Sequence, residues 1–232
     1  MTWSISARCP DTGACGVAVS TAVLAVGALC PFVRAGVGAV STQAFVNVYL
    51  GARGLDLLAH GLPAATVLDA LVASDEGRDV RQFHLVDALG RSAAYSGKDC
   101  VDWFGHRTGD GYAIAGNMLV GEETILATER AFLASAGQAL PERLVRAMEA
   151  GQAAGGDKRG RQSAALLVAY TEDWAEVNLR VDDHADPIAE LRRIWGLYQE
   201  QVAGFIGMMP KKATPFGAYD PSGLGDLLAG TE

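Results

Sequence analysis

Thr2-Trp3-Ser4-Ile5-Ser6-Ala7-Arg8-Cys9-Pro10-Asp11-Thr12-Gly13-Ala14-Cys15-Gly16-Val17-Ala18-Val19-Ser20 holds two β-compatible runs around a turn. Residues 3–8 suit a strand, Pro10-Asp11-Thr12-Gly13 carries turn chemistry, and residues 15–20 suit a second strand. Together they predict a hairpin that begins at the second residue of the chain. Outward from it the sequence reads in blocks. A strand with Gly36 and Gly38 covers 35–42, one helix lies around 54–60, and another runs from Pro63 to residue 73. A hairpin follows over 82–87 and 91–96, then a strand over 112–115 and helices over 122–136 and 141–151. The glycine-rich loop 155–162 precedes strands at 163–170 and 174–181, and Asp186-Pro187 caps a helix reaching residue 202. Strand runs and helix pairs come in blocks rather than in βαβ alternation. This predicts an α+β fold of two mainly antiparallel sheets, stacked, with helices outside. A doubly wound parallel sheet is the alternative. Residues 1–203 form the predicted domain, and Gly, Pro and Lys from residue 204 predict an irregular tail over 204–232.

The chain has 232 residues, half of them hydrophobic, enough to bury a core. Its net charge of −8 repels phosphate backbones, which argues against nucleic acid as a partner. No apolar run spans a bilayer and no signal peptide opens the sequence, so neither membrane nor export is expected and the cytoplasm is. Cys9, Cys15, Cys30 and Cys100 match no zinc or redox spacing and are expected as thiols in a reducing cytosol.

Thr2 draws attention by position. Removal of Met1 leaves a hydroxyl and an α-amine on one residue, and an amine titrating near ~8 serves as a base at neutral pH. Threonine is also a common second residue with no catalytic meaning. Gly116-Asn117, between a strand and a helix, offers either an oxyanion site or an ordinary turn. Thr42, Gln43 and Asn47 end a strand and either line a pocket or cap the next helix. The loop 155–162 reads as a solvated charged loop, a phosphate cradle without P-loop spacing, or the rim of a site; the rim is the reading adopted. Asp182, Asp183, His184 and Asp186 crowd together but lack a second His or Cys, so no metal is expected. His60 complements a helix end, His84 packs in a strand, and His106 belongs to an aromatic stretch with Trp103 and Phe104.

Several segments resemble one family. They are Thr2-Trp3-Ser4-Ile5, Gly36-Val37-Gly38-Ala39-Val40-Ser41-Thr42-Gln43, Gly77-Arg78-Asp79-Val80-Arg81-Gln82 and Gly116-Asn117. Gly155-Gly156-Asp157-Lys158-Arg159-Gly160-Arg161-Gln162-Ser163-Ala164-Ala165-Leu166 and Arg180-Val181-Asp182-Asp183-His184 complete the set. The match covers roughly residues 1–200 and resembles domain-of-unknown-function family 1028, placed in the N-terminal-nucleophile (Ntn) hydrolase superfamily. The resemblance implies a four-layer α-β-β-α sandwich and a hydrolase cleaving a small-molecule amide, with no cofactor. It implies Thr2 as nucleophile, Asn117 at the oxyanion, and Asp157 and Ser163 orienting the amine. Thr42, Gln43, Asn47, Gly116 and Arg159 are the expected substrate contacts. The chain departs from the family at Ser20-Thr21-Ala22-Val23, where many relatives carry a lysine.

Two functions compete: an amidohydrolase acting on a small molecule, and a non-catalytic ligand-binding or scaffold protein that keeps the Ntn fold. A nucleotide-binding domain using the glycine-rich loop is a third reading. Each allows a homo-oligomer, and none needs a metal or cofactor.

Overall fold

A computed structural model describes residues 2–218, and the chain divides into two compact units, Met1–Leu191 and Arg192–Glu232. The first unit contains ten strands in two antiparallel sheets. The strands are β1 (Thr2–Arg8), β2 (Cys15–Thr21), β3 (Pro31–Arg34), β4 (Gly38–Ala44), β5 (Arg81–Asp87), β6 (Ser92–Ser96), β7 (Trp103–Gly109), β8 (Tyr112–Leu119), β9 (Ser163–Ala169) and β10 (Val177–Val181). The larger sheet has the order β10-β9-β2-β1-β8-β7 and the smaller β3-β4-β5-β6. Every pairing is antiparallel. The opening hairpin is thus the centre of the larger sheet, and β1 lies between β2 and β8.

Side-chain alternation sorts the layers. On β1, Trp3, Ile5 and Ala7 are fully buried on one face, against helix α4 (Leu140–Ala153), while α3 (Glu123–Ala134) covers the neighbouring β8. Gly151 of α4 permits the close approach: a Cβ there would stand 2.8 Å from Trp3 Nε1 and 2.4 Å from Thr128 Oγ1. The smaller sheet packs Val40, Phe83 and Leu85 on Leu50, Leu55, Leu58, Val67 and Leu71 of α1 (Val48–Ala59) and α2 (Ala64–Ser74). Each such side chain contributes on the order of 1.5–3 kcal/mol by leaving water. The other faces of the two sheets meet, giving the layered α-β-β-α sandwich that the block order predicts.

Several boundaries differ from the sequence reading. Helix α1 begins at Val48, six residues before Gly54, because Asn47 caps it by accepting from the Tyr49 amide. Gly51 and Gly54 look like breakers but serve packing; a Cβ on Gly51 would stand 2.1 Å from the Phe32 ring. The strand expected over 35–42 is a turn followed by β4, and β3 precedes it. The aromatic stretch around His106 is the edge strand β7.

The first unit ends with the start of α5 (Pro187–Gln201), where the Ala189 amide bonds Asp186 Oδ1 at 3.3 Å. The second unit holds the later turns of α5, with Trp195 stacked on Tyr198 at 5.5 Å, and α6 (Ala203–Met208). A bridge pairs Lys211 with Thr214. Where an irregular tail was expected from residue 204, the described part thus starts in a helix; the rest, 219–232, lies outside the described residues. Among the described residues no helix is long and apolar enough to cross a membrane.

Candidate functional site

The layer between the sheets is polar at one end. Thr2, Ser4 and Ser6 occupy the inner face of β1 and are buried. Opposite them, Ser41 and Gln43 on β4 and Gln82 and His84 on β5 are at most 1% exposed. Thr2 sits at the head of β1, in register with Asn117 of β8, so both side chains share the inner face. Its Oγ1 lies 3.3 Å from Thr21 Oγ1.

A hydrogen-bond network surrounds Thr2. Its carbonyl accepts from Gln43 Nε2 at 3.2 Å and from Asn117 Nδ2 at 3.4 Å. Gln43 Nε2 also reaches the Ala115 carbonyl at 3.1 Å and Gln82 Oε1 at 2.7 Å. Gln82 Oε1 accepts from Asn117 Nδ2 at 2.9 Å as well. Gln82 Nε2 faces the Gly116 carbonyl at 2.8 Å, Ser96 Oγ at 2.8 Å and the Gly105 carbonyl at 3.2 Å. Deeper in the layer, Ser4 Oγ lies 2.6 Å from Gln43 Oε1 and 2.7 Å from His84 Nε2. Burial, with a smaller contribution from the charge on His106, pushes the His84 pKa down to about 3.

Beside Asn117 opens a cavity of about 480 Å³ lined by Ala44, Phe45, Val80, Asp99, Cys100, Val101, Asn117 and Met118. Two of its residues, Ala44 and Met118, hold left-handed backbone at φ 69° and 53°. Such strain in non-glycine residues costs about 1–3 kcal/mol each and gathers at functional sites. Phe45 is 72% exposed on the wall, beneath the Arg81 guanidinium at 5.2 Å from its ring centre. Arg81 Nη1 holds the Phe45 carbonyl at 2.5 Å, and Asp75 pairs with Arg81 Nε at 3.0 Å. The Asp75 carboxyl is desolvated, yet its bonds from Arg81, Asn47 and the Gly77 amide hold it below the ordinary range.

The glycine-rich loop closes against the same end of the larger sheet. Asp157 bridges Leu119 of β8, and its Oδ2 accepts from the Ala22 amide at 3.0 Å, next to Thr21. Its Oδ1 accepts from the Arg159 amide at 2.8 Å, and Arg159 Nη2 stands 3.3 Å from Oδ2. Ser163 pairs with Thr21; its hydroxyl donates to the Val23 carbonyl at 2.5 Å and accepts from the Val26 amide at 3.0 Å. Thr2, Asn117, Asp157 and Ser163 therefore gather from four segments around the ends of β1, β2 and β8.

Thr42 and Asn47 do not line the cavity. Thr42 donates to the Asn47 carbonyl at 3.2 Å, and Asn47 caps α1 and bonds Asp75 at 3.1 Å. Gly116 and Asn117 are not the strand-to-helix turn expected; pairing with Trp3 and Thr2 carries β8 on to Leu119. Gln82, the hub of the network, was not among the expected site residues. Its signal was present in the sequence as part of the alternation Gln82-Phe83-His84-Leu85, a pattern that also fits a solvent-facing position.

Among the described residues, no group of three or more His, Cys, Asp or Glu could hold a metal ion. A second cavity, of about 370 Å³, lies at the far end of β1 and is lined by Arg8, Cys9, Asp11, Asp110, Phe132 and Arg143 among others.

Fold and site define a two-sheet α-β-β-α sandwich protein with a polar centre at the head of its central strand. The chain belongs to DUF1028, a family of unknown function, whose model matches residues 2–191. A crystal structure of a DUF1028 protein from Silicibacter pomeroyi is similar at a TM-score of 0.87 and 30% identity, over 94% of this chain and 99% of that one. A distant similarity links Anbu (ancestral β-subunit) from Yersinia bercovieri, with a TM-score of 0.37 and 12% identity over 90% of this chain and 98% of that one. No curated protein matches this chain.

Proposed function

We propose that the protein is a hydrolase of the N-terminal-nucleophile type that cleaves a small-molecule amide, with Thr2 as nucleophile once Met1 is removed. The observation that carries this reading is the place of Thr2: the head of the central strand, directly across from Asn117, which lines the cavity. In the proposed reaction the freed α-amine takes the Thr2 hydroxyl proton while Oγ1 bonds to the substrate carbonyl carbon. The tetrahedral intermediate collapses, the C–N bond breaks, and the leaving amine departs with the proton. Water then hydrolyses the threonyl ester to a carboxylic acid and restores Thr2. Asp157 and Ser163 fix the segment after Thr21 against which the nucleophile rests.

A non-catalytic ligand-binding protein is the second reading, favoured by the apolar cavity and by the absence of lysine from residues 20–23. Intact-mass spectrometry and a β-lactone probe separate the two. The nucleophile reading expects Met1 to be absent, Thr2 to be acylated, and Thr2→Ala to lose labelling by a factor on the order of 10³ while staying folded. A chain that keeps Met1, or equal labelling of Thr2→Ala, refutes it.

A further inference from the structure

Asn117 is only 2% exposed, yet it lines the cavity, so the way its amide points decides what the cavity can bind. The backbone fixes that orientation. Carbonyl oxygens of Gly116 and Gly105 only accept, so the end of Gln82 that faces them is its nitrogen. Its oxygen therefore faces Gln43 and Asn117 and must receive N–H from both. The Thr2 and Ala115 carbonyls fix the Gln43 nitrogen independently. Asn117 Nδ2 meets Gln82 Oε1 and the Thr2 carbonyl, which engage both of its protons. Flipping the Asn117 amide would set its oxygen against two acceptors. What remains is Oδ1, which has no hydrogen-bond partner among the described residues and is not one of the side-chain atoms sealed from solvent without a partner. The rest of the wall carries one carboxylate, Asp99, no basic residue, and otherwise apolar side chains.

We infer that the cavity takes an uncharged ligand bearing an N–H donor beside an apolar group, a primary or secondary carboxamide, and that Gln82 is the positioning residue that turns the Asn117 oxygen toward it. The inference rests on the proposed reading for the location of the site and not for the chemistry of Thr2. It gives Asn117 a different task from the oxyanion role implied by the family resemblance. Its amide protons are committed, and its oxygen accepts the substrate N–H. An acceptor there, with Asp99 nearby, rejects carboxylates.

Titration calorimetry on the full chain carrying Thr2→Ala, with benzamide, methyl benzoate and benzoate, tests this apart from catalysis. Benzamide should bind about three- to tenfold more tightly than methyl benzoate, which lacks the N–H, as expected for one neutral hydrogen bond. Benzoate should not bind measurably. Adding Gln82→Met should bring benzamide and methyl benzoate to parity and let benzoate in, because Asn117 is then free to turn. Should that variant not fold, the three ligands on Thr2→Ala decide alone. Benzoate or methyl benzoate binding as tightly as benzamide overturns the inference, and so does failure of all three to bind. Benzamide binding in a protein whose Thr2 is never acylated removes the nucleophile reading and leaves this one standing.

Discussion

His84 couples the polar interlayer to pH. The Ser4 hydroxyl has one proton, and Gln43 Oε1, 2.6 Å away, can only accept it. His84 must therefore donate Nε2–H to Ser4 Oγ at 2.7 Å, which leaves Nδ1 bare, and Nδ1 has no partner among the described residues. Adding a proton at Nδ1 would bury a charge with nothing to accept it. Burial first, and the His106 charge second, accordingly lower the His84 pKa from 6.5 to about 3. The folded pKa lies below the unfolded one, so the unfolded chain binds this proton first. Stability is complete above 6.5 and is lost as pH falls toward 3, at about 1.4 kcal/mol per pH unit. Between pH 7 and pH 5 the loss is about 2 kcal/mol, and it depends little on the folded value provided that stays well under 5. His84→Gln keeps an N–H for Ser4 and removes the titration. Urea denaturation of wild type and variant at both pH values measures the effect, and titrations common to both proteins cancel. The variant should lose about 2 kcal/mol less than wild type on acidification. A difference under about 0.5 kcal/mol would mean that His84 is protonated in the folded protein, and the tautomer argument would fail.

Gln82→Leu should destabilise the fold by at least about 3 kcal/mol in urea, because Asn117 Nδ2, Gln43 Nε2 and the Gly116 carbonyl lose a buried partner together. A loss below about 1 kcal/mol would show that the network is not satisfied as described. Iodoacetamide at neutral pH should modify Cys9 before Cys15, Cys30 or Cys100, read by peptide mass mapping. Burial raises the Cys9 pKa, but bonds from the Thr12 hydroxyl and the Thr12 and Asp11 amides outweigh it and lower it, and Cys9 opens on the second cavity. Burial pushes Cys15 up to about 11 and Cys30 to about 12 and raises Cys100, so faster alkylation of any of these would contradict the assignment.

Much of the fold was legible. The hairpin at the start, the pair at 82–96 and the helices behind Pro63, Pro141 and Pro187 carry local signals that tertiary structure keeps. Two kinds of element were not. Strand β3 (Pro31–Arg34) is only four residues long, too short to show a periodicity of its own, and owes its form to pairing with β4 across the turn at 35–37. Helix α1 hides its first turns behind two glycines, Gly51, which admits the Phe32 ring, and Gly54, which packs against Val40 and Leu71.

The site was legible only in part, for a reason that lies in the architecture. In a sheet with one wet face, alternation of polar and apolar residues marks inside from outside. Here both faces of both sheets are covered, and the polar set of the alternation, Thr2, Ser4 and Ser6 on β1 and Gln82 and His84 on β5, points into the middle of the protein. Read by pattern, these residues look solvated; in place, each is at most 6% exposed. Burying such groups costs free energy unless each finds a partner, and one strand cannot supply one. The partners come from β1, β4, β5 and β8 at once, so Gln43, Gln82 and Asn117 acquire a common role only when two sheets close over them. Position along the chain could suggest Thr2 and a dipeptide could suggest Asn117. The direction in which Asn117 points, which sets what the cavity accepts, is decided by the carbonyls of Gly105, Gly116, Ala115 and Thr2 and is written in no single segment.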